Sequence, residues 1–253
     1  MKFHFGKRHL GEILDNKTLC SFGKDYRPAA FPMKGNDRLP LGFLMVELLR
    51  ENRRRPVQRL VRQVDVMEEP IHGGTHLDSP LHFYKDGWDA SQIPLERLLF
   101  LPVASVDVRS RAELNPDYLL SVDDILEWED EYGRLPDGCL FLAHTGHSKH
   151  WPNRTAYMGI DGNGDKHFPA LHPEAASFLA AKRSVYGVGL DTPSADAGNG
   201  STAHRALMSI NVFVLENLVG LEKLPARGAY ALVLPLKLDG ASGSPVRVVA
   251  LVP

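Results

Sequence analysis

Cysteine is nearly missing from this chain: Cys20 and Cys139 are the two present among 253 residues. A disulfide framework is therefore excluded. Without a C-x-x-C pair, dithiol redox chemistry and a cysteine-based zinc site are not expected either. No run of about 18 apolar residues occurs, the length that a bilayer-spanning helix requires. The opening Met1-Lys2-Phe3-His4-Phe5 lacks the apolar stretch of a signal peptide, so a cytoplasmic location is expected. Neither sign of charge prevails, with 29 Lys and Arg against 31 Asp and Glu and a net charge of -2. Such a balance gives no overall pull toward nucleic acid or a membrane surface. Residues 50–62 hold six arginines, but no aromatic residues interleave them, so a solvated face or an interface segment is expected there and not a nucleic-acid patch. Internal repeats, low-complexity segments and an obvious linker are also lacking. A chain of this length, 43% hydrophobic, can bury a sizeable core, and residues 1–253 are expected to form a single domain.

What is abundant is histidine, with eleven residues, and the chain concentrates three of them in one stretch. Residues 72–83 read His72-Gly73-Gly74-Thr75-His76-Leu77-Asp78-Ser79-Pro80-Leu81-His82-Phe83. Imidazole nitrogen and carboxylate oxygen suit zinc, manganese or iron. Helical display of His72 and His76 is disfavoured, because each Gly costs a helix interior about 1 kcal/mol and Pro about 3 kcal/mol. A loop is expected instead. Gly73 and Gly74 can take positive φ, curling the chain so that His72, His76 and Asp78 face one point. A lone histidine is ordinarily a satisfied polar residue or a surface group. Three at this spacing, with an aspartate and a glycine pair among them, point to a metal site.

The surrounding pattern is that of a mixed α/β chain. Residues 1–38 read as loop and short extended pieces, and residues 39–50 fit either a helix or a pair of strands. Residues 60–67 (LVRQVDVM) alternate as a strand would and lead into the histidine stretch. Residues 98–108, 139–143, 184–190, 211–215, 229–237 and 246–252 read as further strands. The Ser121-Val122-Asp123-Asp124 segment has the capping-box pattern, with Ile125, Leu126 and Trp128 following at helical spacing, so a helix over 122–132 is expected. His172-Pro173-Glu174 opens a second helix running to about residue 182, with Pro at its first position and an acid in its first turn. A short helix is expected over 202–207, and residues 157–168 form a loop rich in Gly, Asp and Asn.

The stretch from His72 to Phe83 resembles the H-x-G-T-H-x-D-x-P-x-H signature of the cyclase family of metal-dependent amide hydrolases, which includes bacterial kynurenine formamidases and isatin hydrolases. The likeness continues in Gly189-Leu190-Asp191-Thr192-Pro193-Ser194-Ala195-Asp196, in Leu215-Glu216-Asn217-Leu218, in Trp151-Pro152, in His167-Phe168-Pro169 and in Gly243-Ser244-Pro245-Val246-Arg247. It spans roughly residues 71–253. Residues 1–70 do not resemble the family's usual N-terminal strands, and His147 stands where the family usually has Trp. The resemblance implies a swivelling β/β/α domain with a barrel-like central sheet, a homodimer or larger homo-oligomer, and one or two divalent ions, zinc or manganese. It implies a later His and Glu twelve residues apart as further ligands, a spacing met by His204 and Glu216. Glu216 follows the apolar residues 212–215, where a charge near burial requires a partner or a metal.

The implied reaction is hydrolysis of an amide on an aromatic amine, because a divalent ion polarises a carbonyl and makes water acidic. His82, four residues past Asp78, is within reach to act as general base and then acid, and an ordinary imidazole pKa near 6.5 suits both steps. Thr75 and Asp191 are candidates to orient ligands. Phe83, Trp88 and Trp151 are candidates for an aromatic pocket wall or for plain core. Opening of a cyclic amide of the isatin hydrolase kind is the main reading. An arylformamidase acting on N-formylkynurenine and a metal-binding protein without activity are the alternatives.

Overall fold

Residues 70–253 are described by the computed structural model of this chain. The readings for residues 1–38, 39–50, 50–62 and 60–67 lie outside the described residues. From Pro70 onward the elements are β1 (His76–Asp78), β2 (Leu101–Asp107), α1 (Arg109–Leu114), β3 (Leu119–Leu120), α2 (Val122–Tyr132), β4 (Leu140–His144), α3 (Arg154–Met158), β5 (Ala170–Leu171), α4 (Pro173–Lys182), β6 (Gly187–Leu190), α5 (Thr202–Met208), β7 (Phe213–Glu216), β8 (Arg227–Pro235) and β9 (Gly243–Leu251). This is the mixed α/β class that the sequence pattern predicts. Seven strands close into a barrel in the order β1-β7-β6-β4-β2-β8-β9, with β9 returning to β1. Strands β2, β4, β6 and β7 run parallel, whereas β1 is antiparallel to both of its neighbours. A separate parallel pair joins β3 to β5.

Side chains alternate along these staves because a strand turns successive residues to opposite faces. Leu140 and Leu142, Phe213 and Leu215 join Leu77, Val103, Ala229, Ala231 and Val233 in the cluster that fills the barrel. Phe141 and Ala143, Val188, Leu190 and Val214 face the other way. There they meet Ile125 and Trp128 of α2, Leu179 of α4, and Leu207 and Met208 of α5. Burial on both faces explains why these strands read as continuous apolar runs. The helix ends follow their local chemistry. Ser121 and Asp124 form the reciprocal capping box at the start of α2, and Trp128 donates its indole N–H to Ser105 O at 3.0 Å, tying that helix to β2. At α4 the His172 ring accepts from Glu174 N at 3.2 Å, with Pro173 at the first position.

One expectation needs correcting. The histidine stretch is not loop throughout, because His76–Asp78 forms strand β1, inserted between β7 and β9. Three residues show too little alternation to be read as a strand; their partners lie more than 130 residues away. The brief elements α1, α3, β3 and β5 also lack a legible period, and Tyr157 and Met158 close α3 instead of opening a loop. Among the described residues no helix is long and apolar enough to cross a membrane.

Candidate metal centre

The turn before β1 is set by Gly74, whose φ of +61° lies in the left-handed region that favours glycine; Gly73 does not share that conformation. The Gly74 carbonyl accepts from His76 Nδ1 at 2.9 Å and from Asn217 Nδ2 at 2.9 Å. Thr75 Oγ1 donates to Asn217 O at 2.6 Å, so this hydroxyl ties the turn to the end of β7. Within β1, His76 and Asp78 are two residues apart and share a face, while Leu77 points oppositely into the barrel core. Register pairs His76 with Glu216 of β7. Helix α5 brings His204 to the same point. His76 Nε2 lies 3.2 Å from Asp78 Oδ1 and 3.5 Å from Glu216 Oε2. His204 Nε2 lies 3.2 Å from Asp78 Oδ2 and 3.1 Å from Glu216 Oε1. All four side chains are buried.

A second, more open group shares Asp78. His72 Nδ1 lies 2.6 Å from Asp78 Oδ1, and its ring is 26% exposed. Gly243 permits this approach: a Cβ there would stand 2.7 Å from His72 Cε1 and 2.7 Å from Leu77 O. His82 sits on the 3-10 turn Pro80–His82 and stacks on His72 with ring centroids 4.0 Å apart. Donor atoms of His72, Asp78 and His82 all lie within 4.8 Å of one another, as do those of His76, Asp78 and Glu216. The structure thus brings together every residue that the sequence reading names as ligand or base.

The electrostatics are those of a site built around positive charge. Burial opposes ionisation of Asp78, yet hydrogen bonds from His204, His72 and His76 hold it well below the ordinary carboxylate range. Burial and the charge of Asp78 push Glu216 up, against the pull of His204. Burial disfavours charge on His204, but Asp196, Asp78 and Glu216 outweigh it and raise the ring well above 6.5. His76 is raised in the same way, its burial outweighed by Asp78, Glu216 and the Gly74 carbonyl. His82 goes the other way, to about 4: burial lowers it, Asp78 pulls it up, and the neighbouring imidazoles of His72, His204 and His76 push it down. It is therefore an uncharged ring at neutral pH. Two buried carboxylates facing imidazole nitrogens at 3.1–3.5 Å match the ligand-to-ligand spacing of about 3.3 Å that tetrahedral bonds of 2.0–2.1 Å produce. This set of imidazole nitrogens and carboxylate oxygens fits a divalent metal cation.

The remaining candidates are dispersed. Phe83 stays at the centre, its ring 4.7 Å from that of His204 and 4.4 Å from that of His82. Trp88 packs against the barrel-filling cluster beneath the Arg97 guanidinium, 4.9 Å away. Trp151 is 63% exposed and stands edge-on to Tyr157. Asp191 is fully buried, but its Oδ1 accepts from Thr145 N at 3.0 Å and Thr145 Oγ1 at 2.7 Å, so its hydrogen bonds go to Thr145 and not to the ligand cluster. His147 is buried against Tyr157 and Phe168 and contacts Tyr157 O through Nε2 at 2.6 Å. Sequence reading missed Asp196, Ser242, Gly243 and Asn217 as supports of the centre. For Asp196, Asn217 and Gly243 the signal available was their position inside segments already noted for their likeness to the family; Ser242 lies just before one.

Residues 21–197 match the Cyclase family model, described as "Putative cyclase". The match begins inside the N-terminal stretch where the motifs alone show no likeness. An isatin hydrolase from Roseibium aggregatum is 35% identical over 193 residues, covering 72% of each chain. A kynurenine formamidase from Salinibacter ruber is 31% identical over 184 residues, covering 70% of this chain and 74% of the relative. Among solved structures, isatin hydrolase A from Labrenzia aggregata, bound to benzyl benzoate, is 35% identical with a TM-score of 0.67, covering 72% of this chain and 73% of that one. Isatin hydrolase A from Ralstonia solanacearum, 34% identical, has a TM-score of 0.69 with the same coverage. The chain belongs to the Cyclase family, and it is a hydrolase.

Proposed function

We propose that this chain hydrolyses the ring amide of an isatin-like aromatic substrate with the help of bound zinc or manganese. The observation that carries this reading is the sharing of Asp78 between two groups of donor atoms, one with His76 and Glu216 and one with His72 and His82. Its support from relatives is that proteins named isatin hydrolase match at 33–35% identity, one of them solved with the product analogue thioisatinate.

His76, Asp78, His204 and Glu216 would hold one ion, and His72 would add a donor on the open side. A divalent cation held there supplies polarisation of the amide carbonyl and an acidic water. The chain's own residues provide the rest. Phe83, beside His82 and His204, offers an apolar flank for the aromatic ring of the substrate. His82, uncharged and partly exposed, accepts the proton of the attacking water. The same imidazole then returns that proton to the departing nitrogen. In balance, the C–N bond breaks, OH adds to the carbonyl carbon and H to nitrogen, giving an aromatic amine and a carboxylic acid, which releases its proton to solvent at neutral pH.

The test is to load purified chain with zinc or manganese and follow absorbance with isatin and, separately, with N-formylkynurenine. Loss of the isatin band supports the proposal. Turnover of N-formylkynurenine alone assigns the chain to the arylformamidase reading, and metal uptake with neither reaction leaves a metal-binding protein.

A further inference from the structure

Three imidazoles at the centre have their outward nitrogen engaged, each by a different kind of partner. His76 Nδ1 meets the Gly74 carbonyl, His72 Nε2 meets Ser242 Oγ at 2.9 Å, and His204 Nδ1 meets Asp196 Oδ2 at 2.6 Å. A carbonyl accepts only, whereas a hydroxyl either donates or accepts and so leaves the tautomer of His72 open. The partner of His204 is a carboxylate that is 4% exposed and is itself held rigidly. Its Oδ1 accepts from Ala203 N at 2.7 Å, and its Oδ2 accepts from His204 N at 3.0 Å as well as from the ring. Those two backbone N–H groups lie at the start of α5 and cannot turn away. They fix the carboxylate, and the carboxylate fixes the ring.

We propose that Asp196 is the positioning residue that commits His204 to its Nδ1–H tautomer, leaving Nε2 bare as a donor atom for the cation. This rests on the reading that the cluster binds a divalent ion. The logic is one of donors and acceptors. Three N–H groups converge on two oxygens, so an Asn at this position can satisfy Ala203 N–H with its single oxygen only by turning its NH2 toward His204. That NH2 donates to Nδ1 and moves the ring proton to Nε2, the atom that faces Asp78 and Glu216. Turned the other way, its oxygen keeps both His204 contacts while the NH2 opposes the Ala203 N–H, so either pose loses a contact that the carboxylate makes.

The full chain tests this in two measurements. Zinc affinity, read by competition with a chromophoric chelator, is expected to fall about 10- to 100-fold in Asp196→Asn, the range for losing a partner of a metal-bound histidine. Imidazole ¹⁵N spectra of the zinc-loaded wild type are expected to show His204 protonated at Nδ1 and bound to zinc through Nε2. In zinc-loaded Asp196→Asn the Nδ1–H proton is expected to move upfield as its carboxylate partner becomes an amide, a signature that loss of helix capping alone would not produce. Equal zinc affinity in the two proteins, or zinc coupled to Nδ1 of His204 in the wild type, overturns the proposal. If Asp196→Asn does not fold, the wild-type spectra alone decide. If wild-type chain takes up no zinc or manganese, the metal reading itself fails and takes this proposal with it.

Discussion

The two sides of Asp78 are built differently. On the inner side, His76, His204 and Glu216 are each no more than 5% exposed, and two of the three sit on barrel strands or in register with one. On the outer side, His72 is on a turn and His82 on a single 3-10 turn, both partly open. Rigid strands set donor atoms to within tenths of an ångström, which holding an ion requires. Turns leave room for a substrate to enter and for a ring to exchange protons. On the proposed function, the inner side would mainly hold the ion and the outer side would carry the reacting ring of His82, with Asp78 shared between them.

The strongest way to break this contrast is Glu216→Ala. Stoichiometric zinc or manganese is expected to be lost, measured by elemental analysis after gel filtration, and turnover with it. Retention of full metal content would erase the distinction between the sides. Next is His82→Ala, expected to keep the metal while lowering kcat by about 10²- to 10⁴-fold; an unchanged kcat removes the ring from the reaction. Gly243→Ala strikes the seam between the sides, since its Cβ would meet both His72 and Leu77 O. It should cost about 1–3 kcal/mol in a denaturant melt of the metal-free protein, and a neutral result would mean that the outer side yields easily. Ser242→Ala removes the hydroxyl at His72 Nε2, and metal affinity is expected to fall about tenfold or less. A drop larger than that of Asp196→Asn would invert the proposed order of the two sides.

A final comparison lies outside both. Glu129, at the end of α2, accepts from Arg183 Nε at 2.7 Å and from Leu135 N at 2.9 Å. The Arg183 hydrogen bond holds this carboxyl below its ordinary range against the opposing effect of burial. Its stabilisation is therefore present above about pH 4.5 and is lost as pH falls through the lower folded value. Glu129→Gln should lose about 1–3 kcal/mol at pH 7 and less at pH 3.5, with metal affinity unchanged; melts at the two pH values check it.

Legibility in the sequence followed local physics. Helices α2 and α4 were readable because Ser121–Asp124 and His172-Pro173 are start signals that act within four residues. The parallel strands were readable as apolar runs because both faces are buried. Strand β1 was not, since its pairing to β7 and β9 is a property of the closed barrel. At the centre, His72, His76, Asp78 and His82 stood out by type and spacing, whereas His204 and Glu216 were singled out by likeness to a family. Their supports did not: Asp196 is one aspartate among many, and what distinguishes it is the 2.6 Å contact with a ring eight residues on. The place of His82 was readable but not its titration, because the downward shift comes from burial and from three rings that the fold gathers around it.

The three-residue strand β1 lies between β7 and β9 and so completes the ring of staves. An ion gripped by His76 and Asp78 on this strand, by Glu216 on the next, and by His204 from a helix would act as a rivet through the last seam of the cylinder. Occupancy and closure then become one linked equilibrium, and an ion at 100 times its Kd would add about 2.7 kcal/mol against unfolding. Starving the protein of its ion would thus do more than silence it: the cylinder would become easier to open at β1.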